Sequence, residues 1–141
     1  MSFSDYIHLR SRSLYSIAKG AIKIEDLVNN ALKNNMPALA LTDNNNLFGS
    51  MEFSLNALSK GVQPIMGSLL TLNINNDELT NNKINKEFEV LTLVQNKKGW
   101  RNLSNLLSDS YLRLKTKGKQ FIYLEDLLSE EYASQLNLTY Y

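Results

Sequence analysis

The chain has 141 residues, 43% hydrophobic and 21% charged, with a net charge of +1, enough for one domain and without the global basic excess that marks a nucleic-acid binder. Cysteine is absent, which excludes disulfides, zinc ribbons and thiol catalysis and is compatible with a cytoplasmic location. No segment approaches the roughly 20 apolar residues of a membrane-spanning helix, and MSFSDYIHLR at the start has no apolar run that would act as a secretory signal.

Tyr6 to Arg10 reads as a short strand entering a polar loop, Ser11 to Gly20. Ile24, Leu27, Val28, Ala31 and Leu32 then form one apolar helical stripe, ended by Asn34-Asn35 and Pro37. Ala38 to Leu41 is a short apolar run bounded by turn residues, hence a buried strand. A helix is expected from about Leu47 to Ser59, with Met51, Leu55 and Leu58 facing inward and Gly61 as its stop. Val62 to Leu72 reads as a strand interrupted near Gly67. Asn73 to Asn85 is an asparagine-rich connection, expected to be a loose hairpin tip. Glu87 to Val94 is a strand. Asn96 is placed to cap a helix whose stripe is Trp100, Leu103, Leu107, Tyr111 and Leu114. A basic loop, Lys115 to Gln120, a short helix, Leu124 to Glu131, and a final strand, Leu136 to Tyr140, complete the order. Strands alternating with helices predict an α/β fold with mostly parallel strands, open or closed into a barrel. A last strand with no covering element after it fits an excerpt of something longer.

In such folds functional groups gather at the carboxyl ends of strands. The polar clusters His8-Leu9-Arg10-Ser11-Arg12-Ser13, Thr42-Asp43-Asn44-Asn45-Asn46 and Gly67-Ser68-Leu69 stand there. His8 is the single histidine. It is a metal ligand or general base in the sharper reading, and a partly buried strand-end residue in the plainer one. Asp43 is a catalytic carboxylate or, more simply, a structural Asp accepting backbone N–H groups in a turn. Arg10, Arg12 and Lys19 form an anion pocket for phosphate or a nucleic-acid backbone, or pair internally with Asp43 or with acids elsewhere; internal pairing is the simpler of the two. Lys97-Lys98 and the lysines at 115, 117 and 119 read as solvated helix ends and loop, and Trp100, at helical spacing with leucines, as core.

HLRSRSLYS, GAIKIEDLV, MPALALTDNNNLFG, MEF and VQPIMG follow one another in this order. Together they resemble the start of the PHP domain of the alpha subunit of bacterial DNA polymerase III, the C-family replicative polymerase. WRNLSNLLSDSYL resembles a later helix of that domain, in which a glycine, an aromatic residue and Arg-Asn-Leu follow an asparagine-capped start. Gly99, Trp100 and Arg101-Asn102-Leu103 fit it. The resemblance runs from about Tyr6 to the end and covers roughly the first half of the family's domain. It implies a partial PHP-type distorted (β/α) barrel, with 1–141 a single domain fragment without internal boundary.

The family's chemistry uses a cluster of His, Asp and Glu that holds divalent ions and activates water against a phosphoester. Residue by residue, the resemblance fails at these ligands. Arg10 and Arg12 stand where the family has two histidines, Lys19 where it has an acidic residue, Asn44 where it has a histidine and Leu69 where it has a glutamate. Ser13, Tyr15, Ser16, Gly20, Thr42, Asp43, Asn46, Leu47, Phe48 and Gly67 keep the scaffold pattern. An arginine does not deprotonate to become a ligand, and leucine has no lone pair. Like charges about 4 Å apart repel by roughly 4 kcal/mol at an effective dielectric near 20, so three cations disfavour a divalent ion. The expectation is no metal and no catalytic residue in this chain.

The resemblance implies that the larger protein is a DNA-directed DNA polymerase, a nucleotidyltransferase that uses Mg²⁺ held by palm carboxylates outside this chain. The present segment would be structural or would dock the proofreading exonuclease. Its partners would be the rest of the alpha subunit and, through the larger protein, DNA, with no membrane. Two alternatives differ in class: a metal-dependent PHP phosphoesterase or proofreading nuclease, against which the altered ligands argue, and a non-catalytic stand-alone interaction module.

Overall fold

A computed structural model describes residues 3–74, 86–117, 120, 122–129, 132 and 134–140. Among them the order is α1 (Ile24–Lys33), β1 (Ala38–Asn44), α2 (Ser50–Ser59), β2 (Gln63–Ile74), β3 (Lys86–Val94), α3 (Lys97–Lys117), β4 (Ile122–Tyr123), α4 (Leu124–Leu128) and β5 (Leu136–Tyr140). This is the α/β class expected from the alternation. The chain packs as two compact units, Met1–Ser68 and Leu69–Tyr141, and the division falls inside β2.

In the first unit α1 buries Ile24, Val28 and Ala31, with Leu27 half-buried; Leu32 at the edge of the stripe is 39% exposed. Both helices end in the same way. After α1, the Met36 N–H donates to the Ala31 carbonyl (2.9 Å) and the Asn35 N–H to that of Leu32 (2.9 Å), with Asn35 at φ 53°. After α2, the Val62 N–H donates to Ala57 (2.9 Å) and the Gly61 N–H to Leu58 (3.1 Å), with Gly61 at φ 73°. These are Schellman closures, which need a left-handed residue and so select Gly or Asn.

β1 is buried along its length to Asp43 and carries three more residues than its apolar run suggests. β2 runs beside it in the same direction, from the Gln63 N–H on the Pro37 carbonyl (2.9 Å) to the Ser68 hydroxyl on the Asp43 carbonyl (2.8 Å). β2 continues through Gly67 without a break. No strand forms over Tyr6–Arg10. That segment lies along β1, with Ala40 N–H on the His8 carbonyl (3.0 Å) and Thr42 N–H on that of Ser11 (2.8 Å). Three steps on one side face two on the other, as in a bulge, so no regular ladder forms. The Thr42 hydroxyl oxygen compensates by accepting the Ser11 N–H at 3.0 Å.

The main correction concerns α2. Its buried residues are Ser50, Phe53 and Ala57, while Met51, Leu55 and Leu58, expected inside, are 70%, 59% and 60% exposed. Phe53, flanked by the small Ser50 and Ala57, fills the inner face of α2, which packs against α1.

In the second unit β4 pairs parallel with β2, Leu72 opposite Ile122, and β5 pairs antiparallel with β3, from Val90 opposite Tyr140 to Val94 opposite Leu136. Asn96 caps α3 as expected: its Oδ1 accepts the N–H groups of Lys98 (3.0 Å) and Gly99 (3.2 Å). Leu103, Leu106 and Leu107 are buried, Trp100 is half-buried and Tyr111 is 37% exposed; the side chain of Leu114 lies outside the described residues. α3 runs on to Lys117, so the first part of the expected basic loop is helix. No Gly or Pro stops it before Gly118, and lysines suit a helix C-terminus. α4 ends at Leu128, short of the expected Glu131, which lies outside the described residues together with 75–85 of the expected hairpin tip.

The first turn of α3 sits on the turn before β5. The Asn102 amide donates to the Ser134 carbonyl (2.9 Å) and hydroxyl (3.1 Å), and a methyl on Gly99 would overlap the Gln135 carbonyl oxygen. Urea denaturation of dilute protein tests this packing. Phe53→Ala is expected to cost about 3–5 kcal/mol, while Leu55→Ala changes stability by less than about 0.5 kcal/mol. Asn102→Ala, which orphans buried groups, costs about 1–3 kcal/mol.

Candidate functional site

The carboxyl end of β1 carries Thr42-Asp43-Asn44 and leads into Asn45-Asn46. Asp43 is 2% exposed. Its Oδ1 accepts the Ser13 N–H at 2.7 Å and the Ser16 hydroxyl at 2.6 Å, and its Oδ2 accepts the Ser13 hydroxyl at 2.7 Å. Both serines are buried. Each also accepts in turn: Ser13 Oγ from the Tyr15 N–H (3.2 Å), Ser16 Oγ from the Asn44 N–H (3.0 Å). A buried carboxylate with three donors, one of them backbone, is the arrangement that offsets desolvation of the charge. Asp43 is therefore the structural aspartate of the plainer reading.

The loop that supplies these donors is wound tightly. The Ser16 N–H donates to the Ser13 carbonyl (3.0 Å), and the Lys19 and Gly20 N–H groups donate to that of Ser16 (2.9 and 2.8 Å). Ala18 takes φ 63° to close the turn. A methyl on Gly20 would overlap the Ser13 carbonyl oxygen, which accounts for glycine there. Beyond β1, Asn46 ties two segments together. Its amide donates to the carbonyls of Tyr15 (3.1 Å) and Asn44 (2.8 Å), and its Oδ1 accepts the Phe48 N–H (3.1 Å). This is an Asx-type turn that the Asn44-Asn45-Asn46 run makes possible, with Asn45 at φ 51°.

The positions where the resemblance expects ligands are placed as follows. Arg10 and Lys19 are exposed, and Arg12 is half-buried next to Ser13. Asn44 is half-buried, but its Oδ1 and Nδ2 are buried atoms without a hydrogen-bond partner. Leu69 belongs to the second unit, where it is fully buried. His8 is exposed, packed edge-on against the Tyr6 ring with centroids 4.8 Å apart. With Arg12, Asn30, Asn34, Leu27 and Met36 it lines a cavity of about 270 Å³ between the N-terminal segment and α1. Among the described residues no three His, Cys, Asp or Glu side chains come together to hold a metal. Asp43, the acid nearest to this role, already has both oxygens engaged by serines. Among the described residues the side chains at these positions bring together no set of carboxylates and imidazoles.

Sequence reasoning marked Ser13 and Ser16 as scaffold without seeing that both serve Asp43; the signal was their spacing of three in a loop opposite a strand-end aspartate. It missed the Tyr15 hydroxyl, which donates to Glu52 Oε2 at 2.9 Å. This hydrogen bond and the Glu52 charge hold the Tyr15 phenol above its ordinary value of 10.

With the site described, its relatives give it a class. The family model for the PHP domain matches residues 8–141, and the chain belongs to the PHP domain family. In sequence it is 41% identical over 124 residues to the DNA polymerase III subunit alpha of Rickettsia prowazekii, covering 88% of this chain and 10% of that protein. It is 38% identical over 107 residues to the subunit of the same name from Caulobacter vibrioides, covering 76% and 9%. The chain thus spans about a tenth of the length of the curated relatives it matches. In structure it is similar to a protein of Bifidobacterium adolescentis described as a metal-dependent phosphoesterase, with a TM-score of 0.53, 15% identity, and coverage of 80% of this chain and 35% of that one. At that identity the likeness shows the fold alone: the partial PHP-type α/β architecture expected from the sequence. Among the described residues no helix is long and apolar enough to cross a membrane.

Two measurements test the site. Asp43→Asn keeps the size of the side chain but sets an NH₂ donor against donors, and is expected to cost at least about 2 kcal/mol in urea denaturation. Tyr15 should titrate above 10, and Glu52→Gln should bring it back toward 10, as read by NMR of ring-labelled tyrosine. The sign follows: the folded pKa is raised, so the contribution of this bond to stability is complete below pH 10 and is lost as pH rises through the folded value.

Proposed function

We propose that this chain is the opening part of the PHP region of a DNA polymerase III alpha subunit, and that it serves there as architecture without metal chemistry. The observation that carries the reading is the use of Asp43. This carboxylate, which keeps the scaffold pattern of the family, fastens the Ser13–Gly20 loop, while the positions where the resemblance places ligands hold Arg10, Arg12, Lys19, Asn44 and Leu69. The sequence relatives, named as alpha subunits, support the larger assignment. On this reading residues 1–141 are one fragment of a PHP domain. Template-directed nucleotidyl transfer belongs to the larger protein, through carboxylates and Mg²⁺ outside this chain. The rest of the alpha subunit is the first partner, DNA is reached through it, and the proofreading exonuclease is a candidate for docking.

The cationic positions give this reading a physical sense. On this reading three cations stand at positions where the resemblance expects metal ligands, and fixed side-chain charge is supplied without exchange or loss. After incubation with Mn²⁺ or Zn²⁺ and desalting, mass spectrometry of the purified protein is expected to find far less than one metal per chain, and a chromogenic phosphoester with added Mn²⁺ should show no turnover above the blank. Stoichiometric metal, or turnover lost on Asp43→Asn, would establish the phosphoesterase reading in its place.

A further inference from the structure

We propose that the chain associates with a second copy of itself through the outward face of α2, the two helices lying antiparallel. Phe48, Met51, Leu55 and Leu58 are 64%, 70%, 59% and 60% exposed. Their spacing of three, four and three is that of a seam along which one helix packs against another. Met51, Leu55 and Leu58 lie on α2, and Phe48 continues the line in the turn ahead of it. The opposite face, with Phe53 and Ala57, is fully buried, so α2 is apolar on two sides and has a cover in its own unit for only one.

Charge and symmetry select the partner. Glu52 is the one charged residue of α2, and its carboxylate accepts the Tyr15 hydroxyl. The rest of the surface is Ser54, Asn56 and Ser59. Charge-poor, apolar faces of this kind suit a like surface better than a charged one. The order of the seam is nearly symmetric about Phe53. In a two-fold antiparallel pair Phe48 meets Leu58 and Met51 meets Leu55 of the other copy, and Glu52 meets Ser54, not another Glu52. The four side chains expose on the order of 400 Å² of apolar surface, the size of the largest patch on a typical monomer, which is often functional. Two copies with their polar rims would bury about 1,000 Å², enough for a specific and weak association.

Sedimentation equilibrium of the 141-residue chain tests this. The mean mass should rise from one chain toward two between about 10 μM and 1 mM. Leu55→Asp should keep the mass of one chain throughout, with unchanged far-UV circular dichroism, since residue 55 is exposed. Met51→Lys, at the most exposed position of the seam, is a second variant with the same expected result. Leu112→Asp, at a 64% exposed position of α3, should associate as the native chain does. The proposal is overturned by a single-chain mass for the native protein at every concentration, which would mean that the face is bare or belongs to a different polypeptide. It is equally overturned by association that survives Leu55→Asp and Met51→Lys, or that is lost in Leu112→Asp.

Discussion

The carboxylate of Asp43 gathers three donors from one loop, and the first unit is arranged around that contact. Burying a charge is costly unless it is hydrogen-bonded on every side. Ser13 and Ser16, three residues apart in a turn, supply what is needed, and the Ser13 backbone N–H adds a third bond. The bonds also run outward. Ser16 carries the Asn44 N–H, Ser13 carries that of Tyr15, and Asn46 returns to the Tyr15 carbonyl. The Asp43 carbonyl receives the Ser68 hydroxyl from β2. The Asp43 side chain thereby joins the N-terminal loop to β1, and its backbone carbonyl ties β1 to the middle of β2. Such a network specifies a conformation as well as adding stability, because each member loses its partner if another is removed.

That arrangement holds the strand-end loop by hydrogen bonds. In a metal cluster the ions draw loops from several strand ends together. Here a hydrogen-bonded aspartate draws in the Ser13–Gly20 loop. Gly20 permits the tight turn, and Thr42 and Asn46 close the backbone around it. The likeness to alpha subunits in sequence and to a phosphoesterase-type protein in fold is a likeness of this scaffold.

Much of this was readable beforehand, for definite reasons. Gly61 ends α2 and Asn96 caps α3 because those backbone positions require those residue types. β5 begins and ends as its apolar pattern indicates. The phase of α2 was not readable. Both faces are apolar, and periodicity finds a stripe without saying which of two stripes faces the core. Packing in the first unit selected the face with Ser50, Phe53 and Ala57 over the face with Met51, Leu55 and Leu58. The N-terminal strand failed because a bulge is decided by pairing across the chain, which local sequence does not encode. β4, two residues long, is too short for any periodic signal. At the site, the ligand positions were legible one by one, while the bonding of Ser13 and Ser16 to Asp43 depends on residues about 30 apart in sequence.

The claim that Asp43 is an anchor and not a ligand can be examined at the atoms concerned. Backbone NMR spectra recorded while Mn²⁺ is added report proximity of the ion through paramagnetic broadening. If Asp43 is spent on its serines, the amide signals of Ser13, Ser16 and Asn44 should broaden no more than those of exposed residues elsewhere, and the Ser13 amide should remain protected from exchange. Selective broadening of these three signals at one equivalent of Mn²⁺ would contradict the account.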